Sequence, residues 1–202
     1  MQTPKSAIPV ALATLLLASA PIALATSARA AAEHEATVEH ENKVELQTFQ
    51  QAKVTLADAV SAAEKHSGGK ALGANFEDRN GNPVFRVKTL QNGTVWEGAV
   101  DAVSGQIVGQ GKTTPESRLD QEDKAEIAAF QKTKTPLTEA VKTAEQHAGG
   151  KALDAELEAS GGKAVYEMEV VKNGTIQRVT IDPANGQVVA ARPSAGSSTP
   201  QK

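Results

Sequence analysis

The sequence predicts an α+β protein made of two tandem modules, each a helix packed on one face of a three- to four-stranded antiparallel meander. Three observations lead there. Residues 45–108 recur at 126–189, in register and without a gap, at a constant offset of 81, and self-similarity at a fixed period marks duplicated structural units. Within each copy the apolar pattern switches from a helical to a strand period. Both copies then set Asn-Gly between alternating runs, at Asn92-Gly93 and Asn173-Gly174, the dipeptide that two-residue hairpin turns favour.

Residues 1–30 precede the repeat and read as a Sec-type signal peptide. Lys5 gives a positive start, Ile8 to Leu24 is apolar, and Ala28-Arg29-Ala30 offers small residues for cleavage after Ala30. A lone membrane anchor fits less well, because Pro9 and Pro21 interrupt the run. Residues 31–44 form an acidic arm containing His34 and His40. The chain is thus expected to be periplasmic or secreted, with no membrane segment after cleavage.

Module 1 spans 45–109. A weak helical segment with Phe49 comes first, then a stripe of Leu56, Ala59, Val60 and Ala63 on one helix face. Thr55 and Asp58 have capping-box spacing, and Gly68-Gly69 stops the helix where a left-handed residue is wanted. Strands separated by Asn80-Gly81 and Asn92-Gly93 follow. They set Leu72, Ala74, Phe76, Phe85, Val87, Trp96 and Val100 toward the helix. Counting outward from Asn92-Gly93 places Lys88 opposite Glu97; in the second copy these are Glu169 and Arg178, a paired charge swap expected of cross-strand neighbours. A turn from Asp101 to Gly105 leads into a short strand, Ile107-Val108.

A polar linker is expected at 110–120. Module 2, 121–191, repeats the pattern with Phe130 and the stripe Leu137, Ala140, Val141 and Ala144. Thr135 is placed to cap, with Pro136 at the first helical position. Gly149-Gly150 and a strand face of Leu153, Ala155, Leu157, Tyr166, Met168, Val170, Val179 and Ile181 follow. Residues 192–202, rich in Ser, Pro and Gly, read as a disordered tail.

Composition narrows the function. There is no cysteine, which excludes disulfides, a thiol nucleophile, thiolate zinc and lipidation through cysteine. A net charge of −3 with 3% aromatic residues gives no electrostatic footprint for nucleic acid.

The ordered pair LADAVSAAEKHSGGK with VDAVSGQIV, and LTEAVKTAEQHAGGK with IDPANGQVV, resembles the PepSY domain twice over. The resemblance implies a domain of extracytoplasmic peptidase propeptides and small envelope proteins, with a role in restraining or protecting peptidases. The family has no catalytic residues to carry over. With no peptidase domain in the chain, regulation in trans is expected.

Individual residues support binding over catalysis. His66 and His147 fall in the last helical turn, where a donor meets free carbonyls. Asp101 and Asp182 open D-x-x-x-G turns and are expected to cap local N–H groups. No G-x-S-x-G and no phosphate loop is present, so no enzyme activity and no cofactor are expected. His34 and His40 are the only metal candidates, set in EHEATVEHE without zinc-motif spacing; an envelope metal-binding or buffering protein using this arm is the alternative. The expected partner-binding face is the outer sheet surface: Arg86, Lys88 and Glu97 with Leu90 and Val95, and Glu167, Glu169 and Arg178 with Val171 and Ile176. Exposed final strand edges could add a strand from a partner. Trp96, opposite Gln177 in the repeat, is expected in the core or at the sheet rim. The partner is another secreted or envelope protein, a peptidase being the family's suggestion.

Overall fold

The repeated apolar stripes and Asn-Gly turns fold as their periods dictate, and the two copies then join edge to edge. The computed structural model describes residues 45–160 and 163–194; the signal peptide, the arm with His34 and His40, the Gly161-Gly162 turn and the tail from residue 195 lie outside the described residues. Module 1 comprises α1 (45–49), α2 (Leu56–Ser67), β1 (Lys70–Arg79), β2 (Asn82–Gln91), β3 (Thr94–Asp101) and β4 (Ile107–Pro115). A 3₁₀ turn, Glu116–Arg118, leads to module 2: α3 (Gln121–Phe130), α4 (Leu137–Ala148), β5 (Lys151–Ser160), β6 (Lys163–Lys172), β7 (Thr175–Ile181) and β8 (Val188–Pro193).

The eight strands form one sheet in the order β4-β3-β2-β1-β5-β6-β7-β8. At its centre β1 pairs antiparallel with β5, matching Ala74 to Ala155 and Asn75 to Asp154. Ala74 and Ala155 occupy the same position in the two copies, so a pseudo-two-fold axis passes through this pair. Helices α2 and α4 contact each other and share one core with both halves of the sheet. They therefore lie on the same face, which puts the axis normal to the sheet. Each module alone would have a thin core; the seam merges the two.

Local chemistry matches the sequence in most places. Thr55 Oγ1 accepts from Asp58 N at 3.1 Å while the Asp58 carboxylate accepts from Thr55 N at 3.3 Å, closing the capping box. Gly68 and Gly149 end their helices at φ +70° and +69°. The second glycine of each pair serves close approach: a Cβ on Gly69 would stand 2.7 Å from the Leu90 carbonyl oxygen, and one on Gly150 2.3 Å from that of Val171. Asn92 and Asn173 take the left-handed turn conformation, at φ +49° and +52°.

Four expectations need correction. Leu72 does not face α2: a bulge between Ala71 and Gly73 shifts the register, and Leu72 packs with Val95 and Ile127 on the opposite face. A bulge sets two residues against one, so a period-two count fails beyond it; the same shift recurs between Ala152 and Asp154 around Leu153. Thr135 does not cap α4. Pro136 is the N-cap, without a side-chain cap bond, and the buried Thr135 gives its carbonyl to the Tyr166 hydroxyl at 3.1 Å. The final strands are longer than two residues, and β4 takes in residues 110–115 of the expected linker by pairing Thr113 with Trp96 and Thr114 with Val95. Strand β8 likewise extends through Arg192 and Pro193, Arg192 opposite Arg178.

Because Ala155 is fully buried at the seam, Ala155→Leu is expected to overpack it and cost about 1–3 kcal/mol. Urea unfolding should show a lower midpoint with an unchanged slope.

Candidate functional site

The candidate surface is the face of the sheet turned away from α2 and α4. Strand alternation puts Arg86, Lys88 and Glu97 there in module 1 and Glu167, Glu169 and Arg178 there in module 2. The expected registers hold: Lys88 is opposite Glu97 and Glu169 opposite Arg178. The two triplets do not meet, since β1 and β5 stand between them.

In module 1 this face is not bare. Helix α3 lies on it, seating Ile127 against Leu72 and Val95. Lys88 Nζ donates to Asp123 Oδ1 and Glu126 Oε2, each at 2.7 Å. Burial of the ammonium opposes its charge, but these bonds outweigh it and raise the Lys88 pKa. The expected Lys88–Glu97 ion pair does not form, because α3 supplies two carboxylates; Arg86 bonds Glu97 instead and reaches Glu77 at 3.2 Å. Between α3 and the sheet a cleft of about 350 Å³ is lined by Asn75, Lys88, Glu122, Glu126, Glu156 and Glu158 among others.

The equivalent face of module 2 has the opposite sign. Asp154 is directly opposite Glu169 and Glu156 directly opposite Glu167, where module 1 has Gly73 opposite Lys88 and Asn75 opposite Arg86. Like charges in such positions destabilise a sheet. Arg178 is the cation of this group, bonding Glu169 Oε1 at 2.8 Å and lying 3.6 Å from Glu167. Burial, together with the charges of Glu156, Glu169 and Glu45 and against that of Arg178, pushes the Asp154 carboxyl up to about 8. Glu45 of α1 is raised by burial and by Glu169, Asp78 and Glu77.

The remaining candidates are structural. His66 and His147 sit exposed in the last turns of their helices. Asp101 Oδ1 accepts from Ser104 N at 2.6 Å and Val103 N at 3.0 Å; the Ser104 backbone bond leads in holding its pKa below the usual carboxylate range. Asp182 Oδ1 accepts from Ala184 N at 2.8 Å. Trp96 is buried, with its ring 5.4 Å from that of His66, and it lies over Gly98 and Gly111, where any Cβ would collide with the indole. Among the described residues no group of three or more His, Cys, Asp or Glu is placed to hold a metal ion, and no helix is long and apolar enough to cross a membrane.

Sequence reasoning missed Glu64 and Glu145. Each reaches from its helix to accept the N–H beside the bulge, Ala71 N at 3.0 Å and Ala152 N at 2.9 Å, which satisfies a buried donor. Their recurrence at equivalent positions was the available signal. Asp154 and Glu156 were also missed, because they differ from Gly73 and Asn75.

A family model described as PepSY, peptidase propeptide and YPEB domain, matches residues 53–110 and 134–192. Among solved structures, the crystal structure of a protein described as a candidate lipoprotein from Clostridium difficile 630 is similar at a TM-score of 0.43 and 18% identity, over 70% of this chain and 94% of that one. No curated protein matches the chain.

Lys88→Ala leaves Asp123 and Glu126 without their counter-charge. The expected loss is about 1–2 kcal/mol, reduced from that of a fully buried charged bond because the groups are partly solvated. Hydrogen exchange should quicken in α3 first. A second prediction concerns pH. The folded protein keeps on Asp154, at about 8, a proton that the unfolded chain releases near pH 4, at about the ordinary aspartate value. The folded state then binds more protons across that window, so stability falls as pH rises through it and levels off above. Asp154→Asn should flatten this dependence in thermal melts and raise Tm at the alkaline end.

Proposed function

The chain belongs to the PepSY family, and from that premise we propose that it is an exported, non-catalytic binding module that modulates another secreted or envelope protein, a peptidase being the family's indicated partner. Membership makes it a regulatory or propeptide-like module. Export through a leader at residues 1–30, cleaved after Ala30, completes the reading.

The observation that carries it is the docking of α3. The outer face of this sheet holds a polypeptide segment by one apolar anchor, Ile127, and a charged clasp at Lys88. A surface built this way recognises protein, and the counterpart in module 2 carries different charges for a different partner. The copies differ there in charge, at Arg86/Glu167, Lys88/Glu169 and Glu97/Arg178, while the helix stripes and the Asn-Gly turns are shared.

Crosslinking and pull-down from the native envelope should recover a peptidase, and the purified protein should slow that enzyme's proteolysis at up to equimolar levels. Recovery of no peptidase, with no effect on proteolysis by co-secreted enzymes, would remove this reading.

A further inference from the structure

The two outer faces are related by the pseudo-two-fold axis, and only one has a helix of complementary charge. On module 1 the basic pair Arg86 and Lys88 meets α3, whose Asp123 and Glu126 clasp Lys88. The axis carries the last turn of α3, residues 126–130, onto α1 (45–49). Glu45 then stands in the place of Glu126, and Glu169 in that of Lys88. An anion has replaced the cation on the sheet, but the residue above it is still an anion, so the chain's own helix meets this face with the wrong sign. The apolar seat is retained: Leu153 and Ile176 take the positions of Leu72 and Val95, Leu153 buried with the main core and Ile176 partly buried against it.

The charge sum on the face is lopsided. Asp154, Glu156, Glu167 and Glu169 lie in two directly opposed pairs, against the guanidinium of Arg178, with Lys88 acting on Glu156 from across the seam. Burial leads in raising the Asp154 and Glu45 carboxyls, and the neighbouring carboxylates add to it. The arm preceding α1 adds Glu33, Glu35, Glu39 and Glu41 and is the wrong sign to supply it. A second copy offering α3 would be equally acidic.

We propose that the outer face of module 2 docks a cationic helical segment of a partner protein, which seats an apolar side chain against Leu153 and Ile176 and lays Lys or Arg over Asp154 and Glu169 in place of α1. This rests on the reading that the protein binds another polypeptide, and it names the face and the partner's chemistry. The docked geometry is that of α3 with its charges reversed. Opposite potentials also speed encounter and exclude anionic competitors.

Two fluorescent peptides test it: residues 119–132 as they stand, and the same peptide with Asp123→Lys and Glu126→Lys. In anisotropy titrations against the purified protein, the charge-reversed peptide should bind at least tenfold more tightly than the natural one. The difference should shrink in high salt, where the screening length falls from about 10 Å to about 3 Å. Glu169→Lys in the protein, which installs the module 1 residue, should abolish or invert the preference. Should that variant fail to fold by circular dichroism, Glu169→Gln takes its place, with a loss of at least fivefold expected. Equal binding of both peptides, binding of neither, or a preference indifferent to these substitutions overturns the inference. A peptidase recovered by pull-down whose binding ignores Glu169→Lys would sustain the proposed function and sink this docking site. Charge-selective peptide binding with no peptidase recovered would do the reverse.

Discussion

The pairing of β1 with β5 is the constraint on which the rest of the structure depends. A meander of four strands has two open edges, and an open edge invites further pairing. Here the first strand of each copy closes the other's edge, through Ala74 and Ala155. Because the axis is normal to the sheet, α2 and α4 arrive on one face and touch across the seam. Small residues make that approach workable: Ala59, Ala63, Ala140 and Ala144 are fully buried on the two helices, above alanines on the strands. Two modules too small for deep cores thereby obtain one continuous core.

The same pairing determines what happens on the other face. The crowded side has no place for the body of the helix preceding module 2, which crosses the outer surface instead. Helix α3 does so over module 1, bringing Asp123 and Glu126 to Lys88, residues 35 and 38 positions away in the chain. The outer face is thus a docking surface within the molecule before any partner is considered. Its charges are free to drift because, unlike the inward alanines, they are not fixed by packing on both sides.

Features governed by near neighbours were legible in the sequence. The helix stripes, the Thr55–Asp58 capping box, the Asn-Gly turns and the Asp101 turn each depend on residues a few positions apart. Even the Lys88–Glu97 register could be counted from a turn. Leu72 was misplaced because a bulge adds a residue that alternation cannot reveal. The length of β4 was hidden by a polar, glycine-containing sequence, as suits an edge strand that packs little on either side. Partners of Lys88 were out of reach: opposition across strands fixes who can meet, but α3 decided who does. The join between the modules left no local trace, since Ala74 and Ala155 look like any small strand residues until their positions in the repeat are seen to coincide.

Comparing the clasps of the two copies shows why charge reversal was incomplete. In module 1, α3 draws Lys88 away from Glu97, and Arg86 compensates by taking Glu97. Four carboxylates on or above the sheet, Glu77, Glu97, Asp123 and Glu126, are matched by three cations, Arg79, Arg86 and Lys88. In module 2, Arg178 serves Glu167 and Glu169 together, and Asp154 has only the field of that same guanidinium. The strand changed and the helix did not. An unmatched buried carboxylate is costly to retain, and here neutralising Asp154 by protonation relieves part of that cost. A cationic partner relieves it more fully, because it would add counter-charge to Glu169 as well without requiring a proton on either.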